Sequence, residues 1–486
     1  MTDIIIHKQN EAFIKIECEK STAQELHSYF SFRVPGYQFV PAYKNKLWNG
    51  YIHLFSLKDY TIYHGLVEYI KAFCNERSYS LEIDDDVVST DVFSVVEAKE
   101  FIETLNLPHE IRDYQLKAFI HAIRNRRILL LSPTASGKSL IIYTIIRYLQ
   151  QTCGKGLLIV PTTSLVEQMY KDFESYGYDS EKYCHRQYSG KDKHTNNFLT
   201  ITTWQSIYKN DKEYFEQFDF VIGDEAHQFK AKSLTTILSG CTNSKYRIGT
   251  TGTLDGTHTH KLVLEGLFGP VYKATTTSEL IENKQLASFR IKCLILKYPE
   301  SICKESKTWD YNTEIEYIVR NTARNEFIKN LALSLEGNSL ILFQFVEKHG
   351  KDLHAVIKEK AKNRHVFFVF GGTDVEVRES VRAITEKESN AIIVASYGTF
   401  STGVNIRNLH NIIFASPSKS RIRNLQSIGR GLRLGENKEE AVLYDIADDF
   451  RIGKHVNYTL QHFISRVKIY DEEKFNYKFY NIELKL

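Results

Sequence analysis

At 486 residues the chain exceeds what one hydrophobic core holds, so about two to four domains are expected. Its 42% hydrophobic and 25% charged residues fit a folded globular protein, and a net charge of +4 is too small to mark a polyanion binder by itself. Seven cysteines without a CxxC pair argue against a zinc ribbon or a disulfide framework and point to a reducing cytoplasm, and no run of roughly 18 apolar residues predicts a membrane span.

In chain order, "AFIKIECE" and "YIHLFSL" read as strands, and "STAQELHSYFSF" and "GLVEYIKAFCNERSY" read as helices. They predict a small, separate α+β domain over residues 1–108. Within it "YKNKLWNGYIHLF" interleaves Tyr43, Lys44, Lys46, Trp48 and Tyr51. That pattern suits a nucleic-acid platform, and it equally suits two aromatic anchors of a small core with lysines at the rim.

From residue 128 the rhythm changes. "ILLL", "GLLIV" (156–160) and "FDFVI" (218–222) each lead into a loop and then a polar or amphipathic segment. A second series follows in "LILF" (340–343), "VFFVF" (366–370), "AIIVA" (391–395), "NIIFA" (411–415) and "AVLYD" (441–445). Continuous apolar strands spaced by helix-length segments predict parallel sheets covered on both faces. The fold class is therefore α/β, with tandem parallel-sheet domains over 109–280 and 281–455 and a helical extension over 456–486.

Three stretches carry chemistry. In "SPTASGKS" a strand enters a tight turn and Gly137-Lys138-Ser139 opens a helix, whose N–H groups and dipole suit a phosphate. Thr134, Ser136 and Gly137 would belong to the cradle, Lys138 would reach the β- and γ-phosphates, and Ser139 would hold Mg²⁺, although a Gly-Lys-Ser triplet by itself also arises by chance. In "FDFVIGDEAHQF" an apolar strand delivers Asp224, Glu225 and His227 to its carboxyl end, where parallel sheets bind ligands. Asp224 suits Mg²⁺ and Glu225 suits the attacking water, whereas paired acids elsewhere are usually a solvated loop. In "LQSIGRGLRLG" Arg430 and Arg433 share a helix face, suited to clamp a triphosphate, although a basic surface face reads the same in isolation.

Taken in order, "SPTASGKS", "DEAH" and "QSIGRGLR" resemble motifs I, II and VI of superfamily 2 helicases. "IRDYQ" (111–115) resembles the family's Q-type motif, "VPTTSLVEQ" motif Ia, "TGT" (251–253) motif III and "SYGTFSTGVNI" (396–406) motif V. "TTWQSI" (202–207) resembles the single-strand contact before motif II. Nearly the whole chain further resembles UvsW-type recombination helicases of T-even bacteriophages. Ala135 departs from the glycine common in motif I, and Ser427 follows Gln426 where motif VI usually has arginine.

The resemblance implies two RecA-like domains using ATP and Mg²⁺, with Lys138, Asp224, Glu225, Arg430 and Arg433 catalytic. It implies that Gln115 reads adenine beside Arg112 and Tyr114 (a core position suits Tyr114 equally), and that Gly403 approaches the phosphates. His227, Thr251, Gly252, Thr253 and Gln426 would couple nucleotide to nucleic acid. Thr162, Thr163, Thr202, Trp204, Gln205, Ser396 and Thr402 would contact the bound strand, joined by Lys44, Lys46 and Trp48 if the platform reading holds. Cleft closure on ATP binding and opening on hydrolysis would then move two grips along the backbone.

The implied function is a DNA helicase or translocase remodelling single-stranded and branched DNA (forks, D-loops, four-way junctions) by unwinding, branch migration and annealing. It would work in the bacterial host cytoplasm beside recombination or single-strand-binding proteins, with no membrane partner. An RNA or RNA–DNA hybrid helicase, and a nucleotide-gated DNA clamp without turnover, stay open as alternatives.

Overall fold

The computed structural model describes residues 2–88, 90–188, 196–228, 231–254, 258–402, 406, 408–418, 420, 427–429, 432, 438 and 440–484. Gly403, Gln426, Arg430 and Arg433 lie outside them. The chain divides into two compact units, Met1–Ser132 with Gly137–Ala274, and Thr275–Leu486 with Pro133–Ser136.

The first unit begins with β1 (Ile4–Lys8), β2 (Phe13–Cys18), β3 (Ser31–Arg33), β4 (Tyr51–His53), β5 (Thr61–Tyr63) and β6 (Leu81–Ile83). Among the described residues they form a four-stranded sheet ordered β5-β2-β1-β6 and a separate two-stranded ribbon, β3-β4. Ile4, Ile6, Ile14 and Ile16 are buried, as alternation on a one-faced sheet requires.

The expected parallel sheet follows, built from β7 (Arg127–Leu131), β8 (Gly156–Val160), β9 (Cys184–Gln187), β10 (Leu199–Thr203), β11 (Phe220–Gly223), β12 (Tyr246–Thr251) and β13 (Val271–Lys273). Its order is β13-β7-β12-β11-β8-β10-β9, with every pair parallel. β12 therefore lies between β7 and β11, and the ends of these three strands converge.

The N-terminal sheet is not a free-standing body. One hydrophobic cluster runs from Ile4, Ile16 and Phe73 through Leu129 and Leu157 to Phe268. Gly65 sits so close to the helix His258–Phe268 that a Cβ there would stand 2.0 Å from the Glu265 carbonyl oxygen. Tyr69 donates to Glu265 at 2.6 Å, and Glu11 pairs with the largely shielded Arg127 at the start of β7. Apolar continuity and paired buried charge together make the two sheets one unit.

The second unit holds β14 (Ser288–Lys297), β15 (Ser339–Phe343), β16 (Val366–Val369), β17 (Ile392–Ser396), β18 (Asn411–Phe414), β19 (Glu440–Asp449) and β20 (Asn476–Glu483). They form a second parallel sheet ordered β16-β17-β15-β18-β19-β14-β20. The C-terminal segment is helical only over Tyr458–Glu472, after which β20 pairs along β14. No helix among the described residues is long and apolar enough to cross a membrane.

Candidate nucleotide site and strand-binding surfaces

β7 brings Ser132 to the carboxyl edge of the first sheet, where its backbone N–H donates to the Thr251 carbonyl at 2.9 Å. Two residues in the following turn take left-handed backbone, Ala135 at φ 69° and Gly137 at φ 78°. Glycine suits the left-handed backbone at 137, and a Cβ there would stand 2.4 Å from Gln115 Nε2. Ala135 carries a Cβ in a region that costs a non-glycine residue about 1–2 kcal/mol. Gly137 is the N-cap of the helix Lys138–Leu149 and offers no side-chain acceptor to its first N–H groups, which suits an anion at that end.

Lys138 Nζ donates to Glu225 Oε1 at 2.6 Å, with the two side chains 12% and 18% exposed. Asp224 follows β11 and is buried, and its Oδ1 accepts from the Thr250 hydroxyl at 2.5 Å and from the Glu225 N–H at 2.9 Å. Glu225 has φ 49°, a second strained position within the same cluster. Strain of this kind collects where geometry serves a ligand. Its Oε2 is buried with no hydrogen-bond partner and lies 3.4 Å from His227 Nδ1.

The two carboxyls titrate apart. Burial pushes Asp224 up, and the neighbouring Glu225 charge pushes it further. Burial presses Glu225 the same way, but Lys138 and then His227 outweigh it and hold Glu225 below the usual carboxylate range. Glu225 thus keeps its charge against Lys138.

A polar chain leads away from this pair. The Thr251 hydroxyl donates to the Thr253 carbonyl at 2.7 Å, so its oxygen accepts from His227 Nδ1 at 2.5 Å. Gly252 lies between these threonines, directly after β12. Two partners of this cluster were missed by sequence reasoning. Thr250 holds Asp224, and Tyr176 meets the Ser139 hydroxyl at 3.0 Å. The run "GTTGT" at a strand end signalled the first, and no local pattern signals the second.

Gln115 lies in the first turn of the helix Asp113–Asn125, where its Oε1 accepts from the Arg112 N–H at 2.9 Å and its Nε2 abuts Gly137. Arg112 donates to the Tyr114 hydroxyl at 3.0 Å, and Tyr114 is half-buried. The donors fit the expected ligands. Ser139 and Asp224 offer hard oxygens of the kind Mg²⁺ takes together with phosphate. Among the described residues no cluster of three or more His, Cys, Asp or Glu forms a rival metal site.

The ATP-dependent DNA helicase uvsW of Enterobacteria phage T4 is 35% identical over 510 aligned residues, covering 99% of this chain and all of the relative. The chain belongs to the UvsW helicase family. The family model described as "DNA helicase UvsW, N-terminal" matches residues 3–84 of this UvsW-family chain. "Type III restriction enzyme, res subunit" matches 108–256 and "Helicase conserved C-terminal domain" matches 323–435. The crystal structure of T4 UvsW aligns over the full length of both chains at 33% identity and a TM-score of 0.53. A DNA 3'-5' translocase, XPB2 of Sulfurisphaera tokodaii, is 25% identical over 47% of each chain.

The expected strand contacts of this UvsW-family chain divide. Thr162 caps the helix Thr163–Ser175, Thr163 is exposed, and exposed Gln205 donates to the Pro161 carbonyl at 3.3 Å. β8 and β10 are neighbours, so these three share a rim. Two expectations need correction. Thr202 is buried and donates to the Gln187 carbonyl at 2.7 Å, and Trp204 packs in the core cluster. Neither faces a groove, because the strand β10 and the turn after it point those side chains inward.

In the second unit Ser396 is buried and caps the helix Tyr397–Thr402 through Thr399. Its hydroxyl therefore serves the helix, a further correction, and Thr402 is that helix's last residue. In the N-terminal domain Lys44 and Lys46 are exposed, Trp48 is half-buried, and Tyr51 is exposed. Trp48 and Tyr51 are not among the residues of the domain's core cluster, and the Trp48 indole N–H donates to the Tyr51 carbonyl.

Proposed function

We propose that this chain hydrolyses ATP to move 3′→5′ along DNA and remodel branched substrates, such as forks, D-loops and four-way junctions. The observation that carries the reading is the Lys138–Glu225–Asp224 cluster at the joined ends of β7, β12 and β11. The amides opening the helix Lys138–Leu149 bind the phosphates, and Lys138 turns from Glu225 to the β- and γ-oxygens. Released from Lys138, the Glu225 carboxylate orients the attacking water and takes its proton. Ser139 and Asp224 would hold Mg²⁺, which would supply charge neutralisation at the transferred phosphoryl group. Gln115 and Arg112 border the turn where the adenosine lies. The His227–Thr251–Thr253 chain would carry the state of Glu225 along the carboxyl edge of the sheet, beyond which Thr162, Thr163 and Gln205 lie.

The branched-DNA part rests on the family resemblance and on the exposed basic and aromatic residues of the N-terminal domain. Free cysteines throughout suit a reducing host cytoplasm. The test measures phosphate release and strand separation on single strands, forks, four-way junctions and RNA–DNA hybrids. Lys138→Ala is expected to abolish DNA-stimulated phosphate release; turnover at the wild-type rate in that variant would overturn the mechanism. Equal activity on paired duplex and on branched DNA would overturn the substrate.

A further inference from the structure

We infer that the excursion between β3 and β4 is a stacking site for unpaired bases, so that the N-terminal domain grips the opened strand at a branch. This rests on the DNA-remodelling reading above and names the part of the DNA that the domain takes.

The charge pattern comes first. Between Glu25 and Asp59 the chain carries no acid, while Arg33, Lys44, Lys46 and Lys58 fall within that span. Such a stretch suits a polyanion. Within it lie two of the most exposed large apolar side chains among the described residues, Phe39 at 72% and Leu47 at 81%. The outside of a duplex is lined with phosphate, against which apolar side chains gain nothing. Base faces are apolar and become accessible where strands part.

The aromatic planes are held in place before any ligand arrives. The Trp48 indole N–H donates to the Tyr51 carbonyl at 2.7 Å. Tyr43 meets the Tyr37 ring edge-on at 4.6 Å, and the Arg33 guanidinium lies 4.3 Å above Tyr37. Gly50, at φ 82°, lets the Tyr37 ring pack on the backbone, since a Cβ there would stand 2.8 Å from it. Tyr43, Lys44, Lys46, Leu47 and Trp48 line one groove of about 610 Å³. Fixed aromatic faces with lysines at the edge are what sequence-tolerant single-strand binding uses, at about 1–3 kcal/mol per stacked base.

The experiment uses the full chain and forked oligonucleotides carrying 2-aminopurine either in the unpaired arm or within the paired arm. Trp48→Ala and Leu47→Ser are each expected to weaken binding to the fork about 10-fold, the equivalent of 1.4 kcal/mol, and to abolish the fluorescence change of the unpaired-arm probe. Affinity for a blunt duplex and its salt slope are expected to stay at the wild-type value. Leu47→Ser keeps the test decisive should Trp48→Ala misfold, because Leu47 lies on the surface. Equal weakening on fork and duplex, or no weakening on either, would overturn the stacking site. A fall in self-association of the variants without loss of fork binding would assign the surface to a second copy of the chain and also overturn it. Lys44→Ala/Lys46→Ala is expected to lower the salt slope on the fork and leave that on the blunt duplex unchanged. A slope unchanged on the fork would overturn the site as well.

Discussion

Two buried charge clusters, Lys138–Glu225–Asp224 in the first unit and Asp445–Arg466–Tyr470 in the second, are built on opposite terms. In the second unit Asp445 has both carboxylate oxygens bonded. Arg466 Nη2 reaches Oδ1 at 2.8 Å, and Arg466 Nε and the Tyr470 hydroxyl reach Oδ2 at 2.9 and 2.7 Å. A remaining guanidinium N–H of Arg466 goes to the Ser418 carbonyl. In the first unit Glu225 leaves Oε2 buried without a hydrogen bond, and its backbone is strained. Every open buried bond costs stability, and the Asp445 cluster avoids that cost. A cluster that keeps bonding capacity in reserve and tolerates strain is arranged for something that is not part of the chain.

Three substitutions separate the clusters. Asp224→Asn is expected to lower DNA-stimulated ATP turnover by roughly 10²–10³, comparable to loss of one electrostatic group in an active site. The melting temperature should stay level or rise, since an amide keeps the Thr250 and Glu225 N–H bonds and removes a buried carboxyl whose charge is disfavoured. A fall of several degrees with turnover intact would reverse the assignment. Asp445→Asn should do the opposite, costing about 3–5 kcal/mol of unfolding free energy by leaving Arg466 charged and buried. Denaturant melts decide it, and a loss under roughly 1 kcal/mol would mean that the pair is not structural. The smallest effect belongs to Ala135→Gly. Relief of left-handed strain, less the entropy that glycine adds to the unfolded chain, should stabilise the protein by up to about 1 kcal/mol. A lower melting temperature would show that Ala135 is not strained.

Much of the first cluster was legible because phosphate chemistry dictates its residues whatever packs around them. Lys138, Ser139, Asp224 and Glu225 are placed by motif together with strand-end position, and Ala135 marks a departure from the glycine of relatives at a residue with φ 69°. Residues whose orientation depends on tertiary partners were harder. Thr202 and Trp204 look like surface groups in "TTWQSI", yet β10 is buried along its whole length. The strand β14 was passed over because "SFRIKCLILK" alternates basic and apolar residues, unlike the central strands, as its alternating burial explains. β12 was masked by "YRIGTT", whose Arg247 is fully buried and donates to the carbonyls of Leu238, Cys241 and Leu267. The fusion of the N-terminal sheet to the first parallel sheet depends on Gly65 and Glu265, 200 residues apart in sequence, and no local pattern could announce it.

The central claim is that Glu225 activates water at a nucleotide site assembled by Lys138 and Asp224. Phosphate release in a single turnover, measured for Glu225→Gln beside wild type with forked DNA and with nucleotide binding followed in parallel, tests it most directly. Nucleotide should bind about as tightly as in wild type while release slows by roughly 10²–10⁴, the range for a lost general base. Release at the wild-type rate with binding intact would contradict the account.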